Sequence, residues 1–177
     1  MLKKLIISFT LIFISVDACC QETTYGINAG YTNLNFKLTS DERNESDADS
    51  GFFLGVFGIV EFSNTFELKI GANYTRSEEI SFANIPITGM VYIAQSNFYL
   101  QAGPQLSINL KNQKFRTFED LGLDFGIGVG YQIDKHIVLD LKHNWELTNR
   151  YRLGVPEFNN EKLRANSLNL GLAYKFN

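Results

Sequence analysis

Apolar side chains fall on every second position through most of this chain. At the C-terminus Leu168, Leu170, Leu172, Tyr174 and Phe176 alternate with Asn169, Gly171, Ala173 and Lys175. The same period runs through Tyr25, Ile27, Ala29 and Tyr31, and through Phe66, Leu68, Ile70, Ala72 and Tyr74. It returns in Phe98, Leu100 and Ala102, in Leu123 to Ile133, and in Ile137 to Leu147. A period of two marks a strand with unlike faces. No segment sustains a helical period. With "GFFLGVFGIVEF" and "IPITGMVYIA" as further apolar runs, the pattern predicts about eight strands, an even number. In the first of them Leu34, Phe36 and Leu38 take the opposite parity from Tyr31, which predicts a bulge or a strand leaving its sheet. "GFFLGVFGIVEF" is apolar on both parities, so its faces stay open.

The connections sort by length. Ser63 to Thr65, Gln95 to Asn97 and Asp134 to His136 are short, whereas Ser40 to Ser50, Arg76 to Asn84, Lys111 to Asp120 and Thr148 to Ala165 are long and polar. They alternate, so all long loops fall on one side, as in an up-and-down barrel that crosses a membrane. The faces agree. The apolar parity is too bulky for the interior of a small barrel, which is only wide enough for side chains to fill. The other parity carries Gly, Ser, Asn, Gln and a few charges, suited to a narrow lumen. The expectation is all-β: an eight-stranded antiparallel up-and-down transmembrane β-barrel in the outer membrane of a Gram-negative bacterium. Trp145, Tyr174 and Phe176 are its candidate aromatic girdle.

The front of the chain reads differently. Lys3 and Lys4 precede the apolar run "LIISFTLIFISV" and then "DACCQE". The run suits a cleaved signal peptide and is short for a bilayer span. The expected division is residues 1–20 as signal peptide and 21–177 as barrel. Cys19 and Cys20 are the only cysteines, so the exported chain would have no disulfide framework. "SVDAC" is a loose match to a lipoprotein processing site, with Asp17 beside the cut arguing against a lipidated Cys19. A net charge of -3 gives no electrostatic reason to expect a nucleic-acid partner. A mean hydropathy of -0.10 is too polar for a bundle of membrane helices.

Candidate chemistry is sparse. "GIGVGY" contains Gly126, Gly128 and Gly130, but a phosphate loop needs a strand turning into a helix, and here the alternation runs on to Ile133. The glycines instead make room for long side chains across the lumen. His136 falls in a turn and His143 on the lipid-facing parity, neither beside a nucleophile. "SDERNESDADS" gathers Asp41, Glu42, Glu45, Asp47 and Asp49, without the spacing of a calcium loop. The inward parity carries Glu67, Lys69, Asp124, Asp140, Lys142 and Lys175. Charges in a narrow lumen need partners, so these predict an ion-pair network, with Asp124 and Lys142 expected to pair across the sixth and seventh strands.

"IPITGMVYIAQSNFYLQAGPQLSINL", "HNWELTN" and "LNLGLAYKF" resemble the PorT-like outer membrane beta-barrel family of Bacteroidota. Trp145 and Glu146 stand where that family usually has an aromatic and a glycine. The resemblance implies a small outer-membrane barrel, usually without a known activity; the member that names the family assists a protein-secretion machine. The functional expectation is a non-enzymatic integral barrel with a plugged polar lumen and no cofactor or metal. Its partners would be outer-membrane lipid, the barrel-assembly machinery, and surface or secretion-system proteins met by the outer loops. A soluble ligand-binding barrel and an outer-membrane enzyme are the alternatives.

Overall fold

The computed structural model describes residues 23–39, 44–78, 80–93, 96–112, 120–150 and 162–176. The expected signal segment, with Cys19 and Cys20, lies outside them. The described residues form eight strands: β1 (Thr23–Thr39), β2 (Asn44–Ser63), β3 (Phe66–Ser77), β4 (Ile80–Tyr92), β5 (Phe98–Asn112), β6 (Leu121–Gln132), β7 (Ile137–Glu146) and β8 (Lys162–Lys175). Each pairs antiparallel with the next, and β8 returns to β1, closing the barrel. Closure leaves no edge within the membrane, where an unpaired backbone group would cost several kcal/mol.

The outward face is the oily one. Ile27, Val56, Leu100, Ile127, Leu141, Leu170 and Leu172 are all exposed, Val56 to 58%. A soluble barrel would bury that parity, so these exposures exclude the soluble alternative. Two aromatic rings bound the band. At one end Phe98 packs on Tyr131 with ring centroids 4.6 Å apart, and Tyr174 packs on Phe176 at 5.8 Å. Towards the other end lie Tyr31, Tyr74 and Trp145. Tyr31 shares a hydrogen bond with Ser50 (2.6 Å), and Trp145 meets the His143 ring edge-on at 4.4 Å. Tyr174 and Phe176 thus lie at one end of the outward face and Trp145 towards the other, all three exposed.

Two expectations about β1 and the loops fail for a common reason. The parity change at Leu34 is neither a bulge nor a departure: β1 pairs in unbroken register with β2 to Thr39↔Asn44 and with β8 to Thr39↔Lys162. The strand stays; its surroundings change. Within the band Tyr25, Ile27 and Tyr31 point out. Above it Asn33, Asn35 and Lys37 point out, and Leu34 and Phe36 turn in. Outside the hydrocarbon a barrel obeys the ordinary rule of apolar inside and polar outside. Segments read as loops are strand for the same reason: "NESDADS" lies wholly in β2, and β3 and β4 continue to Ser77 and from Ile80. The β3–β4 connection is as tight as β2–β3, and only β5–β6 and β7–β8 have markedly longer ones. The outward apolar band, not loop sorting, carries the membrane assignment.

The inner turns are built by side-chain capping. In the β6–β7 turn Asp134 accepts the backbone N–H groups of His136 (2.7 Å) and Ile137 (2.8 Å), which hold its carboxyl below the usual range. His136 stacks on Tyr174 and its Nδ1 lies 3.0 Å from the Lys175 carbonyl oxygen.

Candidate functional site

The lumen is filled in three storeys. At the inner end Phe57, Ile59, Met90, Tyr99, Val138 and Ala173 form one apolar cluster, with Tyr92 packed against it. At the outer end Leu34, Phe36, Ile80, Phe82 and Leu163 form another, with Ala165 packed against it. Between them lies a polar chamber of about 60 Å³, continued by a second space of about 30 Å³. The two share Thr75, Asn84, Gln105 and Asn169 in their walls. Such a volume suits a few waters.

β2 supplies the bulk that its double parity left unassigned. Phe53, Phe57 and Ile59 point in, while Phe52, Leu54 and Val56 point out. Glycines opposite them give the space. A Cβ at Gly26 would strike the Phe57 ring, and one at Gly171 would come within 2.6 Å of Phe53. β6 does the same: a Cβ at Gly126 would run into Lys142 and one at Gly130 into Tyr99. "GIGVGY" is thus a stretch of unbroken strand beneath long side chains.

All six sequence-selected charges face inward, but they do not all meet. Lys69 Nζ lies 3.1 Å from Asp140 Oδ2 and 4.6 Å from the centroid of Phe57. Asp140 also accepts from Gln101 Nε2 at 2.9 Å and from the Tyr99 hydroxyl. Lys175 approaches Glu67 at 4.0 Å, and the Tyr92 hydroxyl donates to Glu67 at 3.1 Å. The expected Asp124–Lys142 pair does not form. Asp124 stands opposite Glu146, two positions along β7 from Asn144 and four from Lys142. Its Oδ2 accepts from Gln105 Nε2 at 3.0 Å, while Lys142 donates to Thr88 at 3.3 Å.

Arg150 and Glu146 complete the set and were missed. Arg150 lies just past β7, is 1% exposed, bonds Glu146 and Ser107, and lays its guanidinium over Phe82 at 5.0 Å. Gly122 leaves the room it occupies. Glu146 shares the inward parity of Asp140 and Lys142, and that signal was available. Arg150 sits in a connection without periodicity and gave none. The middle of the lumen thus gathers Lys69, Lys142, Arg150 and Lys175 with Glu67, Asp124, Asp140 and Glu146, while Glu61 stands opposite Glu67 at the inner end and Asp47 and Asp49 share the inward parity at the outer end.

Among the described residues no three His, Cys, Asp or Glu side chains gather as metal ligands. Asp41 and Glu42 lie outside the described residues, and Asp47 and Asp49 stand along β2 opposite Phe36 and Leu34.

Comparison with solved structures gives the same architecture. Neisserial surface protein A is similar at 17% identity and a TM-score of 0.51, over 88% of this chain and 99% of that one. Ail, the attachment invasion locus protein of Yersinia pestis, is similar at 18% identity and a TM-score of 0.50, over 88% and 99%. The outer membrane enzyme PagL is similar at 11% identity and a TM-score of 0.51, over 88% and 99%. At these identities the likeness is one of fold. No curated protein matches the chain in sequence. The family of the outer membrane protein beta-barrel domain matches residues 6–176. With its closed eight-stranded barrel, oily exterior and filled polar lumen, the chain belongs to that family and resides in the outer membrane.

Proposed function

We propose that this barrel is a non-enzymatic scaffold: a closed plug in the outer membrane that conducts nothing and presents its outer connections to partner proteins. The observation that carries the reading is the lumen, a small polar chamber shut at both ends by apolar clusters. A continuous wet path is what an ion or proton route needs, and two packed apolar layers interrupt it. An enzyme reading finds less support. His143, on the outward face, contacts Trp145 and, among the described residues, makes no hydrogen bond to a hydroxyl or carboxylate. A base needs such a partner within reach. The names of the surface protein and of the attachment protein above suit a barrel working through its outer end. The likeness to PorT-like barrels of Bacteroidota makes a secretion-system component the more specific version, since "IPITGMVYIAQSNFYLQAGP" forms the β4–β5 hairpin.

Planar-bilayer recording of the refolded protein tests the closed lumen. Wild type should give no unitary steps, and a variant with Phe57→Ala and Tyr99→Ala, which thins the inner cluster, should give some. Discrete steps from wild type would overturn the proposal. Exchange of residues 151–161 for a short glycine-serine turn should abolish co-purification of outer-membrane partners without changing the folded barrel.

A further inference from the structure

The outward face carries very little charge, and its distribution is one-sided. Among the described residues, the charged side chains on the outward face of a strand are Lys37 on β1, Arg76 on β3 and Arg164 on β8. All three are exposed cations. Asp47 and Asp49 of β2 stand opposite inward-facing Phe36 and Leu34, so they leave the outer side of that segment to Ser46, Ala48 and Ser50.

The three cations do not stand at one height. Arg76 lies opposite Phe52, whose own partner is Tyr31, whereas Lys37 is six residues beyond Tyr31. On β1 and β8 the outward face turns polar at Asn33 and Asn166, and Lys37 lies four residues past the first and Arg164 two past the second. A strand rises about 3.3 Å per residue and tilts about 40° in such barrels, so four residues climb about 10 Å. Lys37 and Arg164 therefore stand above the hydrocarbon, at the level of lipid headgroups.

Two of them are also neighbours. Lys37 and Arg164 are direct cross-strand partners, and Ser46 is the partner of Lys37 on its other side. Like charges placed opposite one another on a sheet destabilise it. Neither has an acidic partner among the described residues. Below them Asn35 faces Asn166 across the same seam. The result is a pair of adjacent cations without a neutralising carboxylate, set among small polar side chains on the outward side.

We propose that Lys37 and Arg164, with Ser46 beside them, bind the phosphate of a lipid headgroup in the outer leaflet. The phosphate relieves the repulsion between the two cations and accepts from both, a guanidinium giving two parallel hydrogen bonds and an ammonium a point charge. The lipid's acyl chains run down the wall formed by Tyr31, Leu168 and Leu170.

Trp145 is the only tryptophan, and its strand meets β8 beside Asn166, which makes it a local reporter. The refolded protein is placed in phosphatidylcholine vesicles in which about one lipid in five is a spin-labelled phosphatidic acid or, separately, a spin-labelled phosphatidylcholine. Phosphatidic acid should quench Trp145 more, with an enrichment of about fivefold for each cation engaged. Lys37→Gln with Arg164→Gln should bring the two lipids level. Both side chains are exposed, and the heat-modifiable gel shift of the double variant confirms that it has folded. Free inorganic phosphate at millimolar concentration should leave the quenching unchanged. Its full displacement of the lipid would mean a site for soluble phosphate and would overturn the lipid assignment. Equal quenching by the two lipids in wild type, or a preference that survives the double substitution, would overturn the site.

Discussion

Removing Asp140 should be among the most damaging single changes in the lumen. Its carboxylate holds Lys69 at 3.1 Å, Gln101 at 2.9 Å and the Tyr99 hydroxyl. The side chains of Lys69 and Asp140 are only 12% and 16% exposed, so the pair belongs with buried rather than surface ion pairs. Breaking a buried pair from one side costs about 3–5 kcal/mol, because the other charge stays behind uncompensated. Asp140→Leu strands Lys69 and leaves two more donors unpaired, which puts it at the upper end of that range. Lys69→Met leaves Asp140 with its Tyr99 and Gln101 donors and should cost about 1–3 kcal/mol. The double variant removes both charges, so its loss should fall short of the sum by about 2 kcal/mol, within the coupling seen for residues in contact. Urea unfolding of the refolded barrel in lipid vesicles, followed by the heat-modifiable gel shift, gives the four free energies. A parallel cycle with Lys142→Met and Asp124→Leu should show less than about 0.5 kcal/mol of coupling, since those groups bond Thr88 and Gln105 instead. Additive losses in the Lys69–Asp140 cycle would falsify the network described here.

Three other expectations follow from the same geometry. Leu170→Arg, in the middle of the apolar band, should cost about 2–4 kcal/mol, whereas Asn35→Arg, above it, should cost about 0–1 kcal/mol; equal losses in vesicle refolding would displace the band. Gly130→Leu must compete with the Tyr99 ring and should destabilise by about 1–3 kcal/mol, while Gly58→Ala, with Tyr25 at 3.6 Å, should be tolerated, both read from unfolding midpoints. Asp134 has a depressed carboxyl in the folded state, so its stabilisation is present above the ordinary value of 3.8 and is lost as pH falls through the lowered one. Wild type should therefore lose its stability advantage over Asp134→Ala only at strongly acidic pH, and an advantage that vanished near neutrality would refute the capping argument.

How much the sequence revealed depended on which solvent each segment meets. Between Tyr25 and Tyr31, or Leu168 and Phe176, one face meets lipid and the other a polar lumen, so alternation reads directly as face. The rule inverts at Asn33, and Leu34 and Phe36 then looked like a break in a strand that runs on. "NESDADS" looked like part of a loop for the same reason, because strands above the membrane have no lipid-facing stripe. The lumen charges were legible as a parity set that could have included Glu146. Their pairing was not. Asp140 meets Lys69 across the barrel, between strands distant in sequence, and a hairpin register could only suggest Lys142 for Asp124. Arg150 gave no periodic signal, since it enters the lumen from a connection.

The inversion along β1 and β8 also sets where the first and last strands may join. A slip of two residues at that seam keeps every side chain on its own face, so alternation alone cannot reject it. The height of the polarity boundary can. In the native register Tyr31 meets Leu170, Asn33 meets Leu168 and Asn35 meets Asn166; paired residues on tilted strands stand at different heights, and the one-step offset between the two changes of polarity brings them level. Shifted by two in one direction, Leu168 would be lifted towards water; in the other, Asn166 would be drawn down into oil. The two strands thus work like the paired scales of a vernier. Each is marked by its own change of solvent, and the barrel closes where the marks coincide.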